Sequence, residues 1–196
     1  MVIKIWMAQT VAAPKVEAIS SASNQMTKLT ENLFLLARAD QGLNLQLEPV
    51  NLNVLLTDLM QLYKPQAEAK QLTWQLKLEP ELFLSGDRLL LTQLFTNLIQ
   101  NALQYTATGD SINVKGQKIN SQIHIEIADT GIGIASEHLD KIFERFWRAD
   151  KSRSYQSSRS GLGLAIVKEI IRLHHGKVSV DSQLGKGSNF TLIFPR

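Results

Sequence analysis

The sequence of 196 residues contains no cysteine, which excludes disulfides, thiolate metal sites and cysteine nucleophiles. It also lacks any apolar run approaching the roughly 20 residues that a membrane-spanning helix needs. Lys4 and Gln9 interrupt the apolar start of the chain, which argues against a secretory signal. The formal net charge of +3 is too small to indicate a dedicated nucleic-acid-binding protein. We therefore expect a cytoplasmic chain without nucleic-acid partners, with any membrane anchor of an intact parent lying upstream.

The composition itself is that of a globular protein. Apolar residues make up 44% and charged residues 20%, values that exclude a mostly disordered or collagen-like chain. The length suits one domain of about 150 residues with a smaller element attached.

An amphipathic helix is predicted over residues 15–42, after an N-terminal segment, 1–14, that receives no assignment. Its apolar residues are spaced by alternating steps of three and four: Ile19, Ala22, Met26, Leu29, Leu33 and Leu36. This 3.5-residue period is typical of a coiled-coil or helical-hairpin seam, and Gly42 provides a C-terminal stop. The alternative is an amphipathic helix packed on its own domain.

The rest of the chain mixes helices with strands. A connector over 43–51, containing Pro49, precedes helices predicted at 52–70, 87–105 and 161–174, with Asp87 as an N-cap. LTWQLKLEP (72–80) alternates like a strand, and the short apolar piece LFL (82–84) follows. Two hairpins are predicted, SINVKGQ with QIHIEIAD and KVSVDS with NFTLIFP. A loop rich in Gly, Ser and Arg follows the first hairpin and is expected to hold one short helix with aromatic residues. This order indicates an α+β sandwich, with a sheet covered by helices on one face.

The helix at 87–105 carries amides on the face opposite its apolar stripe. The amide residues are Gln93, Asn97, Gln100, Asn101 and Gln104. Asn97 and Asn101 are one turn apart, so their oxygens can converge on a hard cation such as Mg²⁺. The alternatives are an amide-rich surface or buried amides with protein partners.

Two glycine runs flank a basic, aromatic segment. DTGIG (129–133) follows a strand and allows the backbone to approach a ligand closely, while SGLGL (160–164) opens a helix whose N-terminus favours phosphate. Residues 142–160 between them combine Phe143, Phe146 and Trp147 with five cations and several serines, as a nucleotide lid would. Each piece has an ordinary structural alternative: a strand-to-turn DTG, a capped helix and a solvated basic loop.

In their order, these motifs resemble the ATP-binding domain of the sensor histidine kinases of two-component signalling. NLIQNALQYT, DTGIGI, IFERFWR and SGLGLAIVKEI are similar to that family's N box, first glycine box, phenylalanine box and second glycine box. HHGKVSVDSQLGKGSNFTLIFP continues the resemblance to the end of the chain. The resemblance implies a Bergerat-type two-layer α/β sandwich, with helices on one face of a mixed sheet, that binds ATP and Mg²⁺.

The resemblance also implies roles for individual residues. Asn97 and Asn101 would hold Mg²⁺ and phosphates, Tyr105 would pack near the adenine, and Asp129 would bind the adenine amino group. Glycines of the first run would shape that pocket, and those of the second would approach the phosphates. The implied nucleotide-binding set is Asn97, Asn101, Gln104, Tyr105, Asp129, Gly131, Gly133, Ile134, Arg148, Arg159, Ser160, Gly161, Leu162, Gly163, Leu164 and Thr191. Two members depart from the family: the position of Gln104 is often basic, and a glycine often stands at that of Arg159.

The implied organisation is a second helix of the dimerisation and phosphotransfer hairpin at 15–43, followed by the ATP-binding domain at 44–196. The implied partners are ATP or ADP, a phosphoacceptor helix of the parent kinase, a response regulator, and a second copy bound through the hairpin helix. The four histidines, His124, His138, His174 and His175, all fall in the ATP-binding domain, and none has the acceptor's context. We therefore expect no catalytic histidine in this chain, which reads as a fragment of a longer kinase or a natural truncation, with the fragment favoured.

Two rival functions are kept. The first is an ATPase of the same superfamily, which would carry a glutamate where this chain carries Asn97. The second is a nucleotide-binding or dimerising pseudokinase module, which ATP binding without transfer to a supplied acceptor helix would reveal.

Overall fold

The computed structural model describes residues 20, 22–23, 25–149 and 160–195. A first helix, α1, includes the described residues from 20 to 40. It stops where predicted, because Gly42 adopts a φ of +86°, which glycine tolerates best. No helix in these described ranges combines the length and the apolar character of a membrane span.

The elements after α1 follow the predicted order. The helices are α2 at Leu52–Ala69, α3 at Arg88–Tyr105 and α4 at Gly163–Leu173. The strands are β1 at Glu48–Asn51, β2 at Thr73–Leu78, β3 at Phe83–Gly86, β4 at Ser111–Ile119, β5 at Gln122–Asp129, β6 at Lys177–Gln183 and β7 at Gly187–Pro195. The predicted helices and hairpins therefore agree with the structure to within a few residues at each end.

A five-stranded mixed sheet forms one layer, in the order β2-β4-β5-β7-β6. The β2–β4 pair is parallel and the other three pairs are antiparallel. Alternate residues of the central strands are buried, among them Ile112, Val114, Ile125 and Leu192, and they share a core with α2, α3 and α4. Since side chains alternate across a strand, the helices cover one face of the sheet. The expected α+β sandwich is confirmed.

Polar groups fix the helix that carries the amide face. The Asp87 carboxylate accepts hydrogen bonds from the backbone N–H groups of Leu89 and Leu90, as an N-cap does. The Asp87 N–H in turn donates to Nε2 of His174 at 3.0 Å. Burial lowers the pKa of His174, which favours the neutral ring that this acceptor role requires. The start of α3 is therefore tied to the end of α4.

Two local expectations differ from the structure. The connector predicted over 43–51 contains β1, which pairs with β3 so that Pro49 lies opposite Ser85. A proline is tolerated because this small two-stranded sheet leaves strand edges unpaired. The short aromatic helix predicted in the loop after the first hairpin is not found among the described residues of that loop. A 3-10 helix lies earlier, at Ser136–His138, and Phe143 and Phe146 lie in turns.

The apolar stripe of α1 is divided between two environments. Leu36 is buried in the core shared with the other helices, and Asn32 accepts a hydrogen bond from Gln93 of α3 at 2.9 Å. Near the end of α1, Arg145 donates to both carboxylate oxygens of Asp40.

Other residues of the apolar stripe are exposed: Met26 is 70% exposed and Leu33 42% exposed. The second half of α1 therefore packs on its own domain, as the alternative to a coiled-coil seam predicted, whereas part of the stripe remains exposed.

Candidate functional site

The amide face of α3 has two kinds of member. Gln93 is bonded to Asn32, as described, and Gln100 donates to the hydroxyl of Tyr63 at 2.8 Å. In contrast, Nδ2 of Asn97 and Oε1 of Gln104 are buried and have no hydrogen-bond partner among the described residues. Buried polar atoms are nearly always bonded, because an unmet partner costs free energy. The unpartnered pair, with the half-buried Asn101 between them, marks the part of α3 where a polar ligand fits.

The N-terminus of α4 lies beside Asn97. A Cβ added to Gly163, the first residue of α4, would be 3.7 Å from Oδ1 of Asn97. Leu162, at the N-cap, makes no side-chain capping bond, so the first N–H groups of the helix have no side-chain acceptor there. Such groups, together with the helix dipole, favour an anion. The two predicted phosphate-binding motifs are therefore adjacent.

The turn before α4 rests on the phenylalanine-box segment. Gly161 has a φ of +70°, and its carbonyl accepts from the N–H of Phe146 at 3.0 Å. An added Cβ would come within 2.9 Å of backbone atoms of Phe146 and Trp147, so this position requires glycine. Ser160 and Leu164 are half-buried on either side. The aromatic segment therefore supports the glycine turn directly.

Asp129 ends β5 on the helix-covered side of the sheet. Burial raises the pKa of its carboxyl group, and Asp110 adds to this effect through charge repulsion, while hydrogen bonds from the backbone N–H groups of Gly131 and Ser188 oppose it. The Gly131 bond is 2.9 Å long. Asp129 is thus a partly desolvated acceptor, suited to a ligand that donates a hydrogen bond.

The first glycine run is locked between the end of α3 and the β6–β7 hairpin. The carbonyl of Tyr105 accepts from the N–H of Ile132 at 3.1 Å, and a Cβ on Gly131 would lie 2.2 Å from the same oxygen. Gly133 has a φ of +67°, and an added Cβ would be 2.0 Å from the carbonyl oxygen of Gln183. Tyr105 itself leaves its side chain 44% exposed at the rim. The turn therefore has no room for a side chain at Gly131 or Gly133.

Sequence reasoning missed two serines beside Asp129. Ser182 accepts from the N–H of Ile134 at 2.8 Å and donates to the carbonyl of Gly187 at 2.7 Å. Its hydroxyl oxygen lies 3.1 Å from that of Ser188, and Ser188 pairs with Asp129 across the sheet. A signal was present, because both serines interrupt the apolar positions of strands that alternate, as in KVSVDS and SNFTLIF.

One predicted site residue, Thr191, does not join this cluster. Thr191 pairs with Glu126, three residue pairs away from Asp129, and it alternates with the buried Phe190 and Leu192. Its side chain is therefore on the face opposite the helices, and its expected place in the site is wrong. Arg148 is half-buried next to the end of the described segment. Arg159 lies outside the described residues, as does most of the predicted lid.

Comparison with known proteins identifies the family of the ATP-binding domain. Residues 86–196 match the family described as Histidine kinase-, DNA gyrase B-, and HSP90-like ATPase. The chain is 36% identical over 182 residues to the Heme sensor protein HssS of Staphylococcus saprophyticus, covering 92% of this chain and 38% of HssS.

Solved structures of histidine kinases are also similar to this chain. Full-length ShkA, crystallised with AMPPNP, is similar with a TM-score of 0.75 and 27% identity, over 87% of this chain and 35% of that one. The histidine kinase AdeS of Acinetobacter baumannii is similar with a TM-score of 0.71 and 25% identity, over 86% of this chain and 77% of that one. The chain spans only about a third of the length of HssS and ShkA. Since the family match takes in 111 of the 196 residues, the chain belongs to the histidine kinase-, DNA gyrase B- and HSP90-like ATPases.

Proposed function

We propose that this chain binds Mg-ATP as the catalytic domain of a sensor histidine kinase. The observation that carries the proposal is the buried, unpartnered pair Asn97 Nδ2 and Gln104 Oε1 beside the N-terminus of α4. A triphosphate would supply acceptors both for the amide N–H of Asn97 and for the first N–H groups of α4. It would therefore satisfy Asn97 Nδ2 and the N-terminus of α4. Gln104 Oε1 is an acceptor, so its partner would instead be a donor such as a water molecule held beside the phosphates.

The other end of the nucleotide would lie at Asp129. An adenine amino group would donate to the carboxylate, whose other hydrogen bonds come from the backbone at Gly131 and Ser188. Ile132 donates to the Tyr105 carbonyl, which holds the backbone of Tyr105, the exposed last residue of α3, next to the first glycine run. These groups would orient the base while the phosphates extend towards α4.

Mg²⁺ fits the chemistry of the phosphate end. Asn97 and Asn101 offer amide oxygens, which are hard ligands of the kind that Mg²⁺ accepts alongside water and phosphate oxygens. When bound, the ion would neutralise charge on the transferring phosphoryl group. The residues of the chain would bind and orient the nucleotide, and Asn97 cannot act as a base towards water.

In the intact protein, the γ-phosphoryl group would pass from ATP to a histidine on another helix and then to an aspartate of a response regulator. Residues 15–43 would be the second helix of the dimerisation hairpin, and the exposed Met26 and Leu33 support a partner helix there. A second copy of the chain would supply it. The expected location is the cytoplasm, where ATP and the regulator are present.

The binding proposal predicts that Asp129→Ala weakens the affinity for ADP by about 1–3 kcal/mol, because a partly buried acceptor is lost. Calorimetric titration with Mg-ADP measures this effect. The matched control is Asp181→Ala, which removes an exposed carboxylate from the other face of β6, a strand that β7 separates from β5. This variant should leave the affinity unchanged. Equal affinities for wild type and Asp129→Ala would refute the assignment of the base.

The kinase proposal predicts acid-labile label on a supplied acceptor helix, but none on the chain alone, when γ-labelled ATP is added. Asn101→Asp should suppress this transfer, because it changes the charge and donor pattern at the Mg²⁺ and phosphate end. Rapid phosphate release without labelled protein would favour the ATPase, and nucleotide binding without either reaction would favour the pseudokinase.

A further inference from the structure

We propose that Lys70, which lies outside the candidate site, is a positioning residue for the end of the site that contains Asp129 and the first glycine run. Its ammonium group would act by holding the last turn of α3 in place, without touching the nucleotide. The inference rests on the proposed nucleotide-binding function and goes beyond it by naming what sets the position of the base-binding groups.

The ammonium group of Lys70 is directed at backbone oxygens. Lys70 is half-buried at the C-cap of α2, and its Nζ donates to the carbonyl of Leu103 at 2.6 Å and to that of Thr106 at 3.0 Å. In the part of the chain that the structure describes, no carboxylate lies within ion-pair distance of it. Removing a charge from water costs free energy unless it is bonded. The end of α3 therefore compensates the partial burial of this lysine.

The last turn of α3 needs a donor from another element. The carbonyls at the C-terminal end of a helix have no partner within the helix, and a cation beside them also interacts favourably with the helix dipole. The last turn of α3 contains no basic residue of its own. Lys70, from the end of α2, supplies both the cation and the hydrogen bonds.

Tyr105 lies between the two residues to which Lys70 donates. Its carbonyl accepts the N–H of Ile132 at 3.1 Å, and an added Cβ on Gly131 would lie 2.2 Å from the same oxygen. The N–H of Gly131 in turn donates to the Asp129 carboxylate at 2.9 Å. Because these contacts leave no slack, a shift of the last turn of α3 would move the glycine run and the carboxylate bonded to it.

The backbone of Lys70 also holds the loop that follows α3. Its carbonyl accepts the N–H of Gly109 at 3.1 Å, and the carbonyl of Asp110 accepts the N–H of Thr73 at 2.8 Å. A substitution at Lys70 leaves these backbone bonds in place and removes only the bonds from Nζ. The side chain can therefore be tested separately from the loop.

Lys70→Met keeps much of the apolar stem and removes the donors. It should weaken the affinity for Mg-ADP by on the order of tenfold, because two charge-assisted hydrogen bonds to the end of α3 are lost. Lys70→Arg keeps a cation with several donors and should retain most of the affinity. The matched control is Lys64→Met, on the same helix, which removes only an exposed ion pair with Glu68 and should leave the affinity unchanged.

The experiment is a double-mutant cycle measured by calorimetric titration with Mg-ADP, at a temperature at which thermal melting shows every variant to be folded. Combined with Asp129→Ala, Lys70→Met should cost less than about twofold, since residues that act together are not additive. Combined with Asn101→Gln, at the other end of the site, it should still cost on the order of tenfold. This pattern, with the affinity kept in Lys70→Arg, supports the proposal.

Three outcomes overturn it: an unchanged affinity in Lys70→Met, an equal loss in both combinations, or a loss in Lys70→Arg as large as that in Lys70→Met. Lys70 would then support only the stability of the fold. If Lys70→Met does not fold, Lys70→Gln replaces it in the same cycle, because its side chain is shorter and uncharged but remains polar.

Failure of the proposed function would look different, because Asp129→Ala would then leave the affinity for ADP unchanged. The Lys70 inference fails alone if Asp129→Ala weakens ADP binding while Lys70→Met binds ADP as wild type does.

Discussion

The two ends of the candidate site are built differently. The base side, which comprises Asp129, residues 131–134, Ser182 and Ser188, is closed by the protein's own hydrogen bonds. The phosphate side, which comprises Asn97, Asn101, Gln104 and residues 161–164, keeps buried amide atoms without partners among the residues described. Under the proposed function, the base side would be formed before a ligand arrives, whereas the phosphate side would be completed by one.

The cause lies in what surrounds each end. On the base side, strand register and a hairpin turn place backbone groups within reach of the Asp129 carboxylate and the Ser182 hydroxyl, which both have partners in the protein. The phosphate side lies between α3 and α4, where Gly163 has no side chain and even an added Cβ would lie 3.7 Å from Oδ1 of Asn97. This arrangement suits a charged ligand such as phosphate, because the hydrogen-bond donors that would bind it are not already occupied by the protein.

The largest expected effect is on stability, and it appears when a methyl group added on the base side is compared with one added on the phosphate side. Gly133→Ala should lower the free energy of unfolding by roughly 3 kcal/mol or more, because its Cβ would lie 2.0 Å from a backbone oxygen and its φ is +67°. Gly163→Ala should change it by no more than about 1 kcal/mol, because its Cβ would make an ordinary 3.7 Å contact. Urea denaturation without nucleotide compares the two. Similar losses in both would break the distinction between a preformed side and an open one.

A smaller effect is expected from replacing the unpartnered amide. Asn97→Leu should keep or raise the free energy of unfolding of the nucleotide-free protein, by up to about 1 kcal/mol, because Nδ2 has no hydrogen bond to lose. It should nevertheless remove the stabilisation that Mg-ADP gives wild type. Thermal melting with and without Mg-ADP measures both effects. A marked loss of stability without nucleotide would mean that this atom has a partner within the protein.

The smallest effect concerns the charge on the base side. Because burial raises the pKa of Asp129 above 3.8, the folded state holds its proton to higher pH than the unfolded state does. Stability from this group is therefore present below pH 3.8 and is lost as the pH rises through the raised pKa. Asp129→Asn should remove this loss, so the variant gains stability relative to wild type between pH 3.8 and neutral pH. Denaturation across that range tests it, and a constant difference would refute the raised pKa.

Local patterns predicted most of the fold. The apolar stripe from Leu91 to Ala102 and the N-cap at Asp87 define α3, and the structure has both. The first hairpin closes at Asn120 and Ser121, which both adopt positive φ values, as a tight turn between alternating strands requires. The missed strand, β1, has only four residues, and it pairs with β3, more than thirty residues later in the chain. A segment this short has too few residues to show the alternating pattern that predicts a strand.

The helix α1 shows the limit of periodicity more clearly. Its 3.5-residue stripe indicates that an apolar partner exists, but the spacing cannot say which surface it is. In the structure, Leu36 is buried in the core that α1 shares with the other helices, whereas Met26 is exposed. Asn32 and Asp40 assist through polar contacts to residues 61 and 105 positions away, which only the folded chain brings near.

Within the site, the sequence by itself determined the residues whose function depends on neighbours along the chain. Asn97 and Asn101 share a helix face, and Gly131 follows Asp129 closely enough to bond it. Only the tertiary structure decided that Ser182 and Ser188 stand beside Asp129 and that Thr191 does not. The physical reason is that strand register, set by pairing between distant segments, chooses both the neighbour of each residue and the face it occupies.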